Sequence, residues 1–337
     1  MPGETPSLIE LSSRMAPPPR SSNKRLYAAV VVPTYARYRL GKDASGALAL
    51  LIRLDGGLGR FDSPPIRLQH LHVAHSLDCE IQRDGSVESG LFTVISCVDA
   101  DRPMEVYFLR VLQALLPTLG DDPSPQAINI AVDHLVELFQ ALRSPPRKTA
   151  QGLWAELLVI AESGEPTALI DAWHTMPEDL YDFNSGAQRL EVKSTSGQMR
   201  RHHFSLAQLQ PPAGTTLVVA SVIANRAGAG ATVTSLVEEI GSRLATTPER
   251  LLRLYKVVAL TLGDGWREST LEAFDRQAAR QALAFFEPSQ IPRISPPLPQ
   301  GVSNVHFTSD LTGKVPLTLG QLEACGGLVS MLRPGAT

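Results

Sequence analysis

The fold of this chain is decided by residues 181–195, which read YDFNSGAQRLEVKST. The second part of this stretch, residues 190–195, alternates apolar and polar side chains and is partly β-branched, which predicts a strand. Side chains on a strand alternate between two faces, so Glu191 and Lys193 are expected on one face, about 6–7 Å apart along the strand. An acidic and a basic side chain therefore share one face of this strand.

A second acidic residue precedes the strand. In the triplet Tyr181, Asp182 and Phe183, the same alternation sets the two aromatic side chains against a core and turns Asp182 outward. Residues 184–187 are rich in turn-forming side chains, which favours a hairpin bend. We therefore expect the hairpin to bring Asp182 beside Glu191.

These side chains have the chemistry of a metal-dependent phosphodiester hydrolysis. Mg²⁺ prefers oxygen ligands and keeps several waters, so the carboxylates of Asp182 and Glu191 with the carbonyl of Val192 form an adequate site. Such a metal polarises a phosphoryl oxygen and lowers the pKa of a bound water. The ammonium of Lys193 can then orient that water or stabilise the charge that grows on the phosphate. On its own, the same triplet also fits an exposed, salt-bridged strand.

The composition is that of a globular protein with enough apolar residues to form hydrophobic cores. The chain has 337 residues, 43% of them hydrophobic and 19% charged, a length that suits two domains. No apolar run approaches the ~18 residues that cross a bilayer, so no membrane association is expected. The three cysteines are odd in number and widely spaced, which favours a reducing cytoplasm. A net charge of -3 argues against a protein that coats DNA, although a local basic surface is compatible with it.

Proline-rich and glycine-rich segments predict the domain layout. Residues 1–25 are expected to be disordered, because their prolines break regular elements. Residues 26–143 are expected to form a β-rich domain with two helices. Its role is either recognition or partner docking, and the sequence does not say which. The boundary segment Ser144-Pro145-Pro146 leads into a second domain at residues 147–320, and residues 321–337 form a C-terminal tail.

The second domain is predicted to be a small mixed sheet flanked by helices, an α/β (α+β) arrangement. The run 215–223 is continuously apolar or β-branched, which is typical of a strand buried on both faces. Residues 199–203 are basic and fit either a solvated loop or a contact with a DNA backbone. The predicted helices are 150–163, one from 205, 233–244, 248–260 and 271–285, and the predicted strands are 168–173, 180–183, 190–195, 215–223 and 305–307.

In their order along the chain, these residues resemble the PD-(D/E)xK nuclease superfamily, and within it a largely uncharacterised bacterial group. The resemblance covers about residues 145–295, and Tyr181 stands where the motif has its proline. Its segments are Gly152-Leu153-Trp154-Ala155-Glu156-Leu157, Trp173, Asp182-Phe183, Glu191-Val192-Lys193-Ser194-Thr195, Phe204-Ser205, Gln208-Leu209 and Ile291-Pro292-Arg293-Ile294. It implies a restriction-endonuclease-like core. Asp182 and Glu191 would bind the metal there and Lys193 would assist the attacking water, while Glu156 on the preceding helix and Gln208 on the following helix would join the catalytic site.

The resemblance implies a metal-dependent endonuclease that hydrolyses phosphodiester bonds in DNA, with Mg²⁺ as cofactor and Mn²⁺ able to substitute. It further implies a cytoplasmic bacterial restriction or phage-defence setting, with a methyltransferase or an ATPase as partner. The apolar helices between residues 233 and 260 fit either a core or a homodimer surface. Two alternatives stay open. One is a catalytically inactive scaffold subunit of a defence complex, and the other is a phosphohydrolase that acts on small nucleotides.

Overall fold

The chain folds as two units, each with its own sheet and helices. The computed structural model describes residues 6–19, 25–54, 63–83, 86–174, 179–269, 271–295 and 297–335. The two units are Met1–Arg143 and Ser144–Thr337. The division between them falls beside the proline-rich segment where the sequence predicts a boundary.

The first unit is built on a six-stranded sheet. Its strands are β1 (Leu26–Val32), β2 (Tyr35–Asp43), β3 (Leu48–Arg53), β4 (Ile66–Arg67), β5 (Leu71–Arg83) and β6 (Ser86–Cys97). Its helices are α1 (Leu8–Ser13), α2 (Arg102–Leu119) and α3 (Pro125–Ala141). The strand order is β1-β2-β3-β6-β5-β4, and β1 also pairs with β5 in parallel. That extra pairing joins five strands into a closed ring, in which each member has a neighbour on both sides.

Apolar side chains at alternate positions form the core of this sheet. One buried cluster draws on four strands and contains Tyr27, Ala29, Ala49, Leu51, Cys79, Ile81, Phe92 and Val94. Within each strand these residues are two positions apart, as the alternation of side chains requires. Among the described residues of this unit, Arg39 is the one charged side chain that is buried. Its guanidinium donates to Glu88 Oε1 at 3.3 Å.

The expectation of disorder at residues 1–25 is wrong for α1. This helix begins with a capping box, in which the Ser7 hydroxyl accepts from the Glu10 N–H and the Glu10 carboxylate accepts from the Ser7 N–H. Such reciprocal bonds satisfy backbone donors that the first turn of a helix leaves unpaired. Residues 1–5 and 20–24 lie outside the described residues. In this unit the sequence predicts strands at 26–32, 47–54, 66–73, 77–82 and 91–98, but none over β2, where Arg37, Arg39 and Lys42 interrupt the apolar pattern.

The second unit has a four-stranded sheet and two two-stranded ribbons. Its strands are β7 (Phe183–Ser185), β8 (Gln188–Thr195), β9 (Arg201–Ser205), β10 (Thr216–Ile223), β11 (Arg226–Thr232), β12 (Ala273–Phe274), β13 (Ala284–Phe286) and β14 (His306–Asp310). The sheet order is β13-β10-β8-β7, with β8 and β10 parallel and both outer strands antiparallel to their neighbours. The ribbons are β11 with β12 and β9 with β14. The mixed α/β character that the sequence predicts is confirmed, and β10 is buried on both faces.

Helices accompany this sheet, and the first of them carries a site residue. They are α4 (Ala150–Glu162), α5 (Pro166–Ala172), α6 (Val233–Arg243), α7 (Pro248–Leu262), α8 (Trp266–Ser269), α9 (Arg276–Gln281) and α10 (Leu319–Ala324). Helix α4 begins at Thr149, whose hydroxyl accepts from the Gly152 N–H at 3.1 Å, and it lies against β8. The predicted tail at 321–337 includes part of α10 and the buried Leu332. Within the described ranges, no helix is both long and apolar enough to cross a bilayer.

Several element predictions near the site are wrong. The strand predicted at 168–173 is helix α5, because Pro166 occupies its first turn and favours a helical start. The helix predicted from residue 205 is a single 3₁₀ turn, Ala207–Leu209, which two prolines then end. The basic residues 199–203, for which a solvated loop was one of two interpretations, lie largely in β9, and the helix predicted at 271–285 contains β12, α9 and β13.

Candidate active site

A tight hairpin places Asp182 beside the central strand of the second unit. Ser185 pairs with Gln188, so the turn between β7 and β8 consists of Gly186 and Ala187. Gly186 has a φ of 52°, a left-handed conformation that glycine adopts without strain. Beyond the last pair of the hairpin, the Val192 N–H donates to Asp182 Oδ2 at 2.7 Å. The structure therefore brings Asp182 to strand β8, as the sequence predicts, but Asp182 is buried rather than turned outward.

Glu191, Lys193 and Gln208 form one closed set of polar contacts. Lys193 Nζ lies 2.7 Å from Glu191 Oε1, so the two side chains share a face of β8 as predicted. Gln208 Nε2 donates to the same Glu191 oxygen at 2.6 Å, and Lys193 Nζ donates to Gln208 Oε1 at 3.2 Å. Gln208 reaches them from the 3₁₀ turn and not from the predicted helix. The amide thus holds both the acid and the amine in place.

Glu156 reaches the same region from the middle of α4. Its Oε2 accepts from the Trp173 indole N–H at 2.7 Å, and its Oε1 accepts from Lys148 Nζ at 2.6 Å. The Lys148 ammonium also donates to Asp182 Oδ1 and lies 3.4 Å from His174 Nε2. The ligand atoms of Glu156, His174 and Asp182 all lie within 4.8 Å of one another. A second group of polar side chains therefore meets at Asp182.

Sequence reasoning missed Lys148 and His174. Lys148 precedes Thr149, the N-cap of α4, so it lies outside the helix and helical periodicity does not relate it to Glu156. His174 follows α5, and its backbone N–H donates to the Asp182 carbonyl at 2.9 Å. A lone lysine and a lone histidine carry no pattern, so both positions became visible only through tertiary contacts.

A family model described as "Putative PD-(D/E)XK family member, (DUF4420)" matches residues 19–312. The chain belongs to this family. The match spans most of both units, so it extends well beyond the segments that carry the resemblance in the sequence. No curated protein and no solved structure matches the chain.

Burial is the largest single influence on the pKa of each of the three carboxyl groups in this PD-(D/E)XK family member. Measured over the whole residue, Glu156, Asp182 and Glu191 are 2%, 6% and 3% exposed. Desolvation disfavours the charged form of a carboxyl group. Burial and then the charge of Asp182 raise the pKa of Glu191 to about 8. Burial and then the charge of Glu156 raise the pKa of Asp182 above its ordinary value. Burial also opposes ionisation of Glu156, but the charge of Lys148 and the surrounding hydrogen bonds outweigh it and lower its pKa.

A divalent cation fits the donor atoms of this family member. Oε2 of Glu191 is buried and, among the residues that the structure describes, has no hydrogen-bond partner. Carboxylate oxygens suit Mg²⁺ and Mn²⁺, and an imidazole nitrogen such as that of His174 suits transition metals. Two donor sets share Asp182. One adds Glu156 and His174, and the other is the predicted set with Glu191 and the Val192 carbonyl.

Proposed function

We propose that this protein is a metal-dependent endonuclease that hydrolyses phosphodiester bonds in DNA. The observation that carries the proposal is the burial of three carboxylates, Glu156, Asp182 and Glu191, around one strand that also presents Lys193. Buried carboxylates cost free energy and contribute little to stability, so their convergence is typical of a functional site. Membership of a PD-(D/E)XK family supports the same reading.

The carboxylates would hold Mg²⁺, with Mn²⁺ able to replace it. When bound, such a cation polarises a phosphoryl oxygen and supplies a hydroxide-like nucleophile at neutral pH. The Val192 N–H fixes the orientation of Asp182, and the carbonyl of Val192 points to the same strand edge, as in any β ladder. This arrangement leaves that carbonyl and Glu191 as the further oxygen donors of the predicted set.

Lys193 is the proposed catalytic amine. Its ammonium is held by Glu191 and Gln208, and it lies 5.3 Å from the centre of the Phe204 ring. These contacts restrict the amine to one region beside the carboxylates. A fixed ammonium there can orient the attacking water and stabilise negative charge that grows on the phosphate.

The family resemblance supports a proposal for the biological setting. We propose a bacterial restriction or phage-defence role in the cytoplasm, with DNA as substrate and a methyltransferase or an ATPase as partner. The first unit would recognise DNA or dock that partner, and a second copy of the chain would form a homodimer. Copurification of the tagged protein with its genomic neighbours tests the partner proposal.

Plasmid cleavage tests the proposed activity. Wild-type protein with Mg²⁺ or Mn²⁺ should nick or cut the plasmid, and Lys193→Ala should lower the rate by about 10²–10⁴-fold, the usual contribution of a positioned acid–base group. Lys314→Ala, an exposed lysine of the same unit, is the matched control and should cut like wild type. Circular dichroism establishes that both variants fold. Wild-type cleavage by the Lys193 variant would refute the assigned role.

One observation favours the scaffold alternative. The Lys148 ammonium already bonds to Glu156 and Asp182, so these two carboxylates have a counter-ion within the chain. A scaffold would keep that ion pair in place of a metal. Calorimetry of Mg²⁺ and Mn²⁺ with wild type and Asp182→Asn decides between the two functions. Metal binding that the substitution removes supports the nuclease, and no heat from either protein supports the scaffold.

A further inference from the structure

The ammonium of Lys148 lies where three potential metal ligands converge. Its Nζ is 2.6 Å from Glu156 Oε1 and 3.4 Å from His174 Nε2, and it donates to Asp182 Oδ1. These are the same three residues whose ligand atoms lie within 4.8 Å of one another. An ammonium ion and a metal ion would therefore use the same donor atoms. Because like charges repel strongly at contact distance, both cannot remain there together.

We propose that Lys148 is a tethered competitor of the divalent cation. In the metal-free protein it neutralises Glu156 and Asp182, and the arriving cation displaces it from them. The inference rests on the proposed function, because it concerns the cation of that same site. It differs from the predicted ligand set by placing a cation on Glu156, His174 and Asp182.

The place of Lys148 in the chain allows this exchange. It precedes the N-cap of α4, and 30% of its side chain is exposed, against 2% for Glu156 and 9% for Asp182. The flexible four-carbon stem of a lysine can move its ammonium towards solvent while the carboxylates stay buried. Nδ1 of His174 is also buried and has no hydrogen-bond partner among the described residues, so no second contact fixes the tautomer of this ring.

Displacement would give Lys148 a second role. Once released, its ammonium lies beside the site and can donate to a phosphate oxygen of the substrate. Release requires the cation, so this phosphate-binding charge becomes available only when the cation is in place. Lys148 would thereby make tight binding of a phosphodiester depend on prior loading of the site, and it acts as a positioning residue rather than as the proposed catalytic amine.

Metal affinity without DNA tests the competition. Calorimetry with Mn²⁺ compares wild type, Lys148→Met, Lys193→Met and Lys314→Met, each of which removes at most one positive charge. We expect Lys148→Met to bind Mn²⁺ at least about tenfold more tightly than wild type. The affinity of Lys193→Met for Mn²⁺ should rise by a smaller factor, and that of Lys314→Met should equal the wild-type affinity. No gain for Lys148→Met overturns the proposal. An equal or larger gain for Lys193→Met also overturns it, because the cation would then lie nearer Glu191.

The wild-type protein supplies a test that does not depend on the folding of a variant. Reductive methylation of lysines is followed by mass spectrometry with and without saturating Mn²⁺, and Lys314 serves as the internal control. We expect Mn²⁺ to raise the labelling of Lys148 severalfold and to leave that of Lys314 unchanged. Unchanged or lower labelling of Lys148 overturns the inference alone, provided that calorimetry shows metal bound. If no protein binds metal, the inference and the proposed function both fail.

Discussion

The two units of this protein bury charge in different ways. In the first unit, among the residues described, one charged side chain is buried, Arg39, and 25% of its partner Glu88 is exposed. In the second unit, three carboxylates are buried around a single strand. Burying a charge costs free energy unless it is paired and hydrogen-bonded, so a fold that needed only stability would avoid such a cluster. The first unit is therefore held mainly by apolar packing, whereas the second keeps a cluster of buried carboxylates at the candidate active site.

The largest expected effect separates Lys148 of the second unit from Arg39 of the first, the cations that pair with carboxylates in each. In metal-free buffer, Lys148→Met should lower the free energy of unfolding of the second unit by about 3–5 kcal/mol, because it leaves two buried carboxylates without a counter-ion. Arg39→Met should cost the first unit about 1–2 kcal/mol, because Glu88 can be solvated. Native-state hydrogen exchange of α4 and of β3 measures each unit separately. Equal losses would show that the units do not differ in this respect.

A pH titration is expected to give the next largest effect. The pKa of Glu191 is raised from 4.5 to about 8, so the folded state holds this proton more tightly than the unfolded state. Its contribution to stability is complete below pH 4.5 and is lost as the pH rises to about 8. Between pH 6.5 and 8 the metal-free second unit should therefore lose stability, by at most about 1.4 kcal/mol per pH unit.

The matched control for this titration is Glu191→Gln, which should flatten the pH dependence of the second unit. The stability of the first unit should change little over the same pH range. Burial lowers the pKa of His75 below 6.5 and raises the pKa of Cys79 to about 11, so both groups titrate outside the window. Hydrogen exchange at several pH values measures both units. If the stability of the second unit in Glu191→Gln still falls between pH 6.5 and 8, a group other than Glu191 causes the pH dependence.

Two helix caps give the smallest expected effects. The Ser124 hydroxyl accepts from Ala127 N–H at the start of α3, and the Thr149 hydroxyl accepts from Gly152 N–H at the start of α4, both at 3.1 Å. Replacing either residue with alanine should cost about 1 kcal/mol in its own unit. Thr149→Ala should also reduce plasmid cleavage severalfold, because α4 carries Glu156, whereas Ser124→Ala should leave cleavage unchanged. Similar cleavage by both variants would contradict the link between α4 and activity.

Patterns within short stretches of sequence predicted the side chains that β8 and its hairpin bring together. The alternation in residues 190–195 placed Glu191 and Lys193 on one face of β8, and the turn-forming residues before it predicted the hairpin that brings Asp182 alongside. The continuous apolar run at 215–223 became β10, which pairs with β8. In each case the element is determined by interactions between residues close in sequence or by the burial of an apolar run.

The rest of the site depends on contacts that sequence spacing does not encode. Lys148 and His174 reach Asp182 from segments that lie 34 and 8 positions before it, through a hydrogen bond of each to that residue. Asp182 was predicted to face outward because alternation takes no account of partners that satisfy a buried carboxylate. Gln208 contacts Glu191 and Lys193, but prolines at 211 and 212 shorten its predicted helix to one turn.

The indole of Trp173 gives this protein a built-in optical reporter. Its N–H donates to Glu156 at 2.7 Å, and its ring stacks on Phe183 with a centroid distance of 6.2 Å. Binding of the proposed cation at Glu156 would alter the electric field at that indole, and paramagnetic Mn²⁺ would quench its emission at short range where diamagnetic Mg²⁺ would not. The difference in emission between wild type and Trp173→Phe would therefore follow binding of the proposed cation, separated from the emission of Trp154 and Trp266.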